Sequence, residues 1–166
     1  MIADREATLF RLAHELGLDP DAEQRIGGIY TPVVVHNGTA WVSGQVPRVG
    51  NEVIAVGRVP DQAPLELAKK GARVSALRAL ILVRQAAGGL DRIAQVLRMG
   101  VYVHSAPDFG GHSEVGDAAS EVLYSVLGPQ AGRHSRTSVG VAQLPKSASV
   151  EIELAVALQA EAGDGR

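Results

Sequence analysis

Arg136, Glu151 and Glu153 are the residues whose types and spacing best suit chemistry on a small anion. A guanidinium presents two parallel donors to a carboxylate and stays charged when partly buried, so Arg136 is a natural anchor for an acid. The run Val150-Glu151-Ile152-Glu153-Leu154 alternates apolar and acidic residues. In a strand that alternation puts both carboxylates on one side, about 7 Å apart. A pair at that distance suits general acid/base work. The same residues also admit a structural reading: Arg136 ion-pairs with Glu151 or Glu153 across adjacent strands, and Glu151 is a solvated strand residue. Ser43-Gly44-Gln45 is no nucleophile elbow, because no G-x-S-x-G pattern surrounds it. The five histidines, at 14, 36, 104, 112 and 134, lack ligand spacing such as H-E-x-x-H, so no metal is expected. His134, close to Arg136 in sequence, is expected at the surface. With no cysteine, thiolate nucleophiles, disulfides and Cys-based zinc sites are excluded.

The bulk properties narrow the partners. A chain of 166 residues with 46% hydrophobic and 20% charged residues is long enough for one packed core. One domain over residues 1–160 is expected, with 161–166 a flexible tail. The formal net charge is −2 and aromatics are only 4%, so the cationic, ring-bearing platform that grips nucleic acid is missing and RNA or DNA is disfavoured. No apolar run nears the roughly 20 residues that span a bilayer, and MIADREATLF lacks a signal-like apolar core. Cytoplasm is the expected location.

The elements that must position these residues are legible from periodicity. Leu9, Leu12, Ala13 and Leu16 share a helical face over about 4–17, stopped by Gly17. His36-Asn37-Gly38 joins Val33–Val35 to Ala40–Val42 as a hairpin, because Asn-Gly accepts the positive φ angles of a tight turn. A second turn at Gly50-Asn51 leads to a short strand, Val53 to Val56. The longest helix opens at Asp61 and Pro64, with Asp61 as a cap, carries Leu65, Ala68, Ala72, Leu80 and Val83 as a stripe, and ends at Gly88-Gly89. Val96 to His104 reads as a strand with Leu97, Met99, Val101 and Val103 on one face. A helix over 112–127 closes at Gly128-Pro129. Strands Thr137 to Ala142 and Ser149 to Leu158 follow, joined by the Leu144-Pro145-Lys146 turn. This order predicts an α+β fold: a mixed sheet with two main helices on one face, plus the short N-terminal helix. Two helices cover one face only, and Ala155 and Ala157 on the other favour contact with another subunit over water.

Three segments in this order resemble one known family. Arg136-Thr137-Ser138-Val139-Gly140-Val141-Ala142-Gln143-Leu144-Pro145 followed by Val150-Glu151-Ile152-Glu153 resembles the C-terminal signature of the RidA/YjgF family. Val42-Ser43-Gly44-Gln45-Val46-Pro47 is similar to its other marker, with Tyr30 at the expected distance before it. The N-terminal helix, Ser105-Ala106-Pro107-Asp108-Phe109 and the Gly132–Arg136 approach resemble a longer-chain branch. The resemblance implies a chorismate-mutase-like fold, a homotrimer whose sheets line a barrel-like interior, and ligand clefts between subunits. It implies cofactor-free hydrolysis of reactive enamines and imines to 2-oxo acids and ammonia. Arg136 would hold the substrate carboxylate and Glu151 would orient water, while Tyr30, Ser43, Gly44, Asp117 and Ser138 would line the pocket. Asp117 stands where relatives commonly have Asn, and opposes an acidic substrate unless a cation pairs with it. Ser138 stands where archetypal members have cysteine. The resemblance leaves two other readings open: a non-catalytic sensor of 2-oxo acids, and an L-PSP-type endoribonuclease or translation inhibitor. An isomerase like chorismate mutase would follow from the fold alone, a weak warrant.

Overall fold

The Asn37-Gly38 pair makes the hairpin as expected. Both residues take positive φ, 48° and 70°, and join β1 (Val33–His36) to β2 (Thr39–Gln45) in antiparallel register. The structure is a computed structural model that describes residues 4–160, so the expected tail over 161–166 lies outside the described residues. Upstream, α1 (Arg5–Glu15) is capped by Asp4, whose side chain accepts the Ala7 N–H at 3.1 Å. A small ribbon of β3 (Arg48–Val49) and β4 (Glu52–Val53) turns at Gly50. The strand expected over 53–56 stops at Val53; beyond it only Val56 forms an isolated bridge, to Ala148.

The long helix α2 runs Leu65–Ala87 and ends at Gly88, whose φ of 82° suits glycine. Asp61 does not cap it. Pro64 holds the cap position, and Asp61 binds the Arg58 guanidinium at 3.1 Å from Nε. The strand β5 (Ile93–His104) is longer than expected. Helix α3 (His112–Ala131) is broken at Gly128, φ 80°, just where Gly128-Pro129 forecast its end. β6 (Ser135–Val141) and β7 (Val150–Leu158) complete the chain.

The five-stranded sheet has the order β1-β2-β7-β5-β6. β5 and β6 run parallel and the other pairs antiparallel, so the sheet is mixed. β7 therefore sits between β2 and β5 and does not pair with β6. That removes the expected ion pair of Arg136 with Glu151 or Glu153: β6 has no border with β7.

α2 packs over β2 and β7, α3 over β5 and β6, and α1 lies against both helices. Leu77, Leu80, Ile81, Met99, Leu123 and Ile152 are fully buried between these layers; each such side chain contributes about 1.5–3 kcal/mol. Leu97 departs from the expected stripe and is exposed. A bulge between Val96 and Arg98 makes it the extra residue in its strand, so the period of two slips there. Glu6 clamps α1 down by bonding Arg84 Nε at 2.6 Å and the Leu90 N–H at 2.9 Å. The sheet's other face is bare. It carries Trp41, 57% exposed, with its register partner Val34, 52% exposed, beside Ala155. Among the described residues no helix is long and apolar enough to cross a membrane.

Candidate functional site

The expected site residues fall into two groups on opposite faces of the sheet. Arg136 pairs in register with Met99, and Ser138 with Val101, so both lie under α3 on the helix-covered face. Glu151 pairs with Tyr102 on the bare face, with β5 standing between β7 and β6.

Around Arg136, β6 supplies the cation and α3 supplies its partners. Its Nη1 donates to Asp117 Oδ1 at 2.8 Å and to Ser120 Oγ at 2.9 Å, and its Nη2 donates to the Ser113 carbonyl at 3.3 Å. Ser113, Gly116, Asp117 and Ser120 recur at helical spacing, which puts them on one face of α3. Gly116 lets the strand approach: a Cβ there would stand 3.0 Å from Arg136 Cζ and 2.6 Å from Ser138 Oγ. The Ser138 hydroxyl is buried and has no partner. His134 is more than the surface residue expected. Its Nδ1 stands 2.6 Å from the Gly132 carbonyl and its Nε2 2.9 Å from Ser120 Oγ. A ring N–H to Gly132 leaves Nε2 to accept from the Ser120 hydroxyl, which in turn accepts from Arg136. Tyr124, tilted on His134 at 5.6 Å, completes an open depression with these residues. Asp117 is paired with a cation, but that cation is Arg136 itself, so the pairing engages the expected anchor.

Glu151 lies in a cavity of about 180 Å³ whose walls include Tyr30 and Gly44. A β-bulge at Ser43-Gly44 in β2, between Val42 and Gln45, brings the strand against Glu151. A Cβ at Gly44 would overlap Glu151 Oε1, so glycine leaves the carboxylate room in its present position. Burial, and then the nearby charge of Glu153, push the Glu151 carboxyl above its ordinary range. Glu153 does not converge with it. It accepts the Tyr102 hydroxyl at 2.7 Å, over Gly100 on the β5 side, so the two carboxylates lean to opposite flanks of β7. Ser43 does not border the cavity. Its hydroxyl and carbonyl oxygens both accept from Gln45 Nε2 at 3.1 Å.

Sequence reasoning missed the cavity's cations. Arg25, Arg48, Arg78 and Lys146 line it with Glu151. A signal existed for one of them: Arg78 is the lone charge in the apolar run Val74–Val83 of α2. Among the described residues no group of three or more His, Asp or Glu side chains clusters as a metal site requires.

Comparisons with known proteins agree with this fold. The family described as Endoribonuclease L-PSP matches residues 22–158. Protein TCP17 of Trypanosoma cruzi is 38% identical over 129 residues, covering 78% of this chain and 81% of that protein. The crystal structure of an Agrobacterium tumefaciens protein of unknown function superposes with a TM-score of 0.82 at 30% identity, covering 95% of this chain and 97% of that one. A candidate endoribonuclease of Shewanella oneidensis superposes with a TM-score of 0.83 at 25% identity, covering 93% of this chain and 99% of that one. Both superpositions run beyond the segment matched by the family.

Proposed function

The chain belongs to the endoribonuclease L-PSP family, the RidA/YjgF family of the sequence resemblance, and from that premise we propose that it hydrolyses reactive imines and enamines to 2-oxo acids and ammonia. The observation that carries this reading is Glu151: a half-buried carboxyl, held above its usual range, facing a small cavity beside Tyr30 and Gly44. A group tuned in that direction is a better base near neutral pH than an ordinary carboxylate.

Glu151 takes a proton from a water as its oxygen adds to the imine carbon. That proton passes to the nitrogen, giving a carbinolamine; Glu151 then takes the hydroxyl proton as the carbonyl forms and returns it to the nitrogen, the C–N bond breaks, and ammonia leaves with a 2-oxo acid behind. The imine is already electrophilic, so the remaining need is a grip on the substrate carboxylate. Arg136 supplies it through the donor positions that the Asp117, Ser120 and Ser113 bonds leave free.

Because Arg136 and Glu151 occupy opposite faces of one sheet, the working site joins Arg136 of one copy to Glu151 of another, in a homotrimer with intersubunit clefts. The exposed Trp41, Val34 and Val139 on the sheet support this assembly, since a patch of that kind favours burial against a partner. The decisive assay follows 2-oxo acid release from imines made in situ by an amino acid oxidase. The chain should accelerate release and Arg136→Ala should remove the acceleration; an unchanged rate in the variant refutes the reading.

One observation favours a second reading, a sensor that binds 2-oxo acids without turning them over. Asp117 already occupies Arg136, which weakens the grip needed for turnover. Thermal stabilisation by 2-oxobutyrate, dependent on Arg136 and without imine hydrolysis, would select it.

A further inference from the structure

Arg78 is 3% exposed, yet no carboxylate meets it. Its Nη1 donates to Gln24 Oε1 at 3.1 Å and to the Arg48 carbonyl at 3.2 Å. Its Nη2 donates to the Arg25 carbonyl at 2.9 Å and, more weakly, to Gln45 Oε1 at 3.4 Å. These acceptors are all neutral, and Nε has no partner at all. Burial and the charge of Arg48 push this guanidinium down to about 10. A buried cation held only by carbonyls leaves its field uncancelled.

That field falls on the Glu151 cavity, which Arg78 lines together with Arg25, Arg48 and Lys146. Among the described residues none of these four cations is ion-paired. Arg25 donates to Asn51 Oδ1 at 2.6 Å and Arg48 to the Asn51 carbonyl at 3.4 Å, again neutral oxygens. Among the residues that line the cavity, these four cations face a single carboxyl, Glu151, so the wall carries an excess of positive charge.

We propose that this cavity receives small dicarboxylates: one carboxylate held by Arg136 of a neighbouring copy, the other seated among Arg25, Arg48 and Lys146 with Arg78 behind them. This deepens, and rests on, the imine-hydrolase reading of Glu151. The substrate class becomes the imines of dicarboxylic amino acids. A monocarboxylic imine would leave the cationic wall unmatched. A cavity of about 180 Å³ suits a small metabolite; Tyr30 is its one aromatic residue, too few to stack successive bases of a nucleic acid.

The test has two independent readouts on the full chain. In the first, the specificity constant is compared for imines generated from glutamate and from norvaline, its monocarboxylic counterpart. The glutamate-derived imine should be favoured at least tenfold, and that ratio should fall at least tenfold in Arg48→Gln and in Lys146→Gln. Arg78 ties three segments together, so these two more peripheral variants carry the test. In the second, calorimetry compares glutarate with valerate, neither of which can react. Glutarate should bind at least tenfold tighter, and the advantage should shrink in the same variants. Glutarate preference without any imine turnover would leave the dicarboxylate site standing and remove the hydrolase reading. Turnover with no preference in either readout would overturn the dicarboxylate site and spare the hydrolase. Tight binding of a single-stranded RNA oligonucleotide, lost in both variants and unaccompanied by glutarate binding, would overturn it as well.

Discussion

At the β6 edge, a single cation, Arg136, is met by an anion of its own chain, Asp117, at 2.8 Å. In the Glu151 cavity, four cations have no carboxylate partner of their own among the described residues, and the one carboxyl present is pushed upward by burial. The two regions are alike in construction. Each sets its functional side chain against a glycine, Gly116 over Arg136 and Gly44 against Glu151, where a Cβ would intrude. They differ in charge balance. The first region is internally neutralised, so an incoming acid must compete with Asp117. The second has no such pair, and on that imbalance the proposed dicarboxylate site rests. Affinity and selectivity would then come from different places: Arg136 fixes the orientation common to all substrates, while the cationic wall discriminates between them.

The largest effect expected is on the Glu151 side. Glu151→Gln should lower kcat for imine hydrolysis by about 100-fold or more, the usual loss when a general base is removed. Mixing Glu151→Gln chains with Arg136→Ala chains, after unfolding and refolding together, should recover activity if the halves come from different copies. No recovery would mean that the two regions do not form one site. Next come the glycines. Gly44→Ala and Gly116→Ala should each lower kcat/KM by up to about 100-fold through misplacement of a side chain. A crystal structure of each variant should show the Glu151 or Arg136 side chain moved while the sheet stays in place.

Smaller effects test the charge balance directly. Asp117 is 64% exposed, so its pair with Arg136 is worth little in water. Asp117→Asn should tighten 2-oxobutyrate binding about two- to fivefold by calorimetry; weaker binding would show that Asp117 helps to hold the ligand.

The smallest effect concerns stability. A carboxyl raised by burial binds its proton more tightly folded than unfolded. Its contribution is full below the ordinary carboxylate range and is lost as pH rises through the raised value. Wild type and Glu151→Gln should therefore melt together at low pH, and the variant should melt higher at neutral pH. A lower melting temperature for the variant at neutral pH would show that Glu151 is a structural tie.

What could be read in advance follows the range of the interactions concerned. The Asn37-Gly38 hairpin, the glycine stop of α2, the break at Gly128-Pro129 and the alternating faces of β7 are set by backbone sterics and by residues a few positions apart. The sequence alone therefore determined these elements and the helix-covered sheet, while its resemblance to a known family singled out Arg136 and Glu151 as candidates. It also flagged Asp117 as needing a cation.

Strand order was decided elsewhere. β7 enters between β2 and β5, although β6 precedes it in the chain, because its buried face completes the apolar layer beneath α2. That insertion sets β5 between Arg136 and Glu151, whose registers with Met99 and Tyr102 put them on opposite faces. It also makes Gly44 meet Glu151 at a bulge, and draws Arg25, Arg48, Arg78 and Lys146, distant in sequence, into one cavity. Local spacing carries no record of such convergence. It arises only when long-range pairing and burial close the fold.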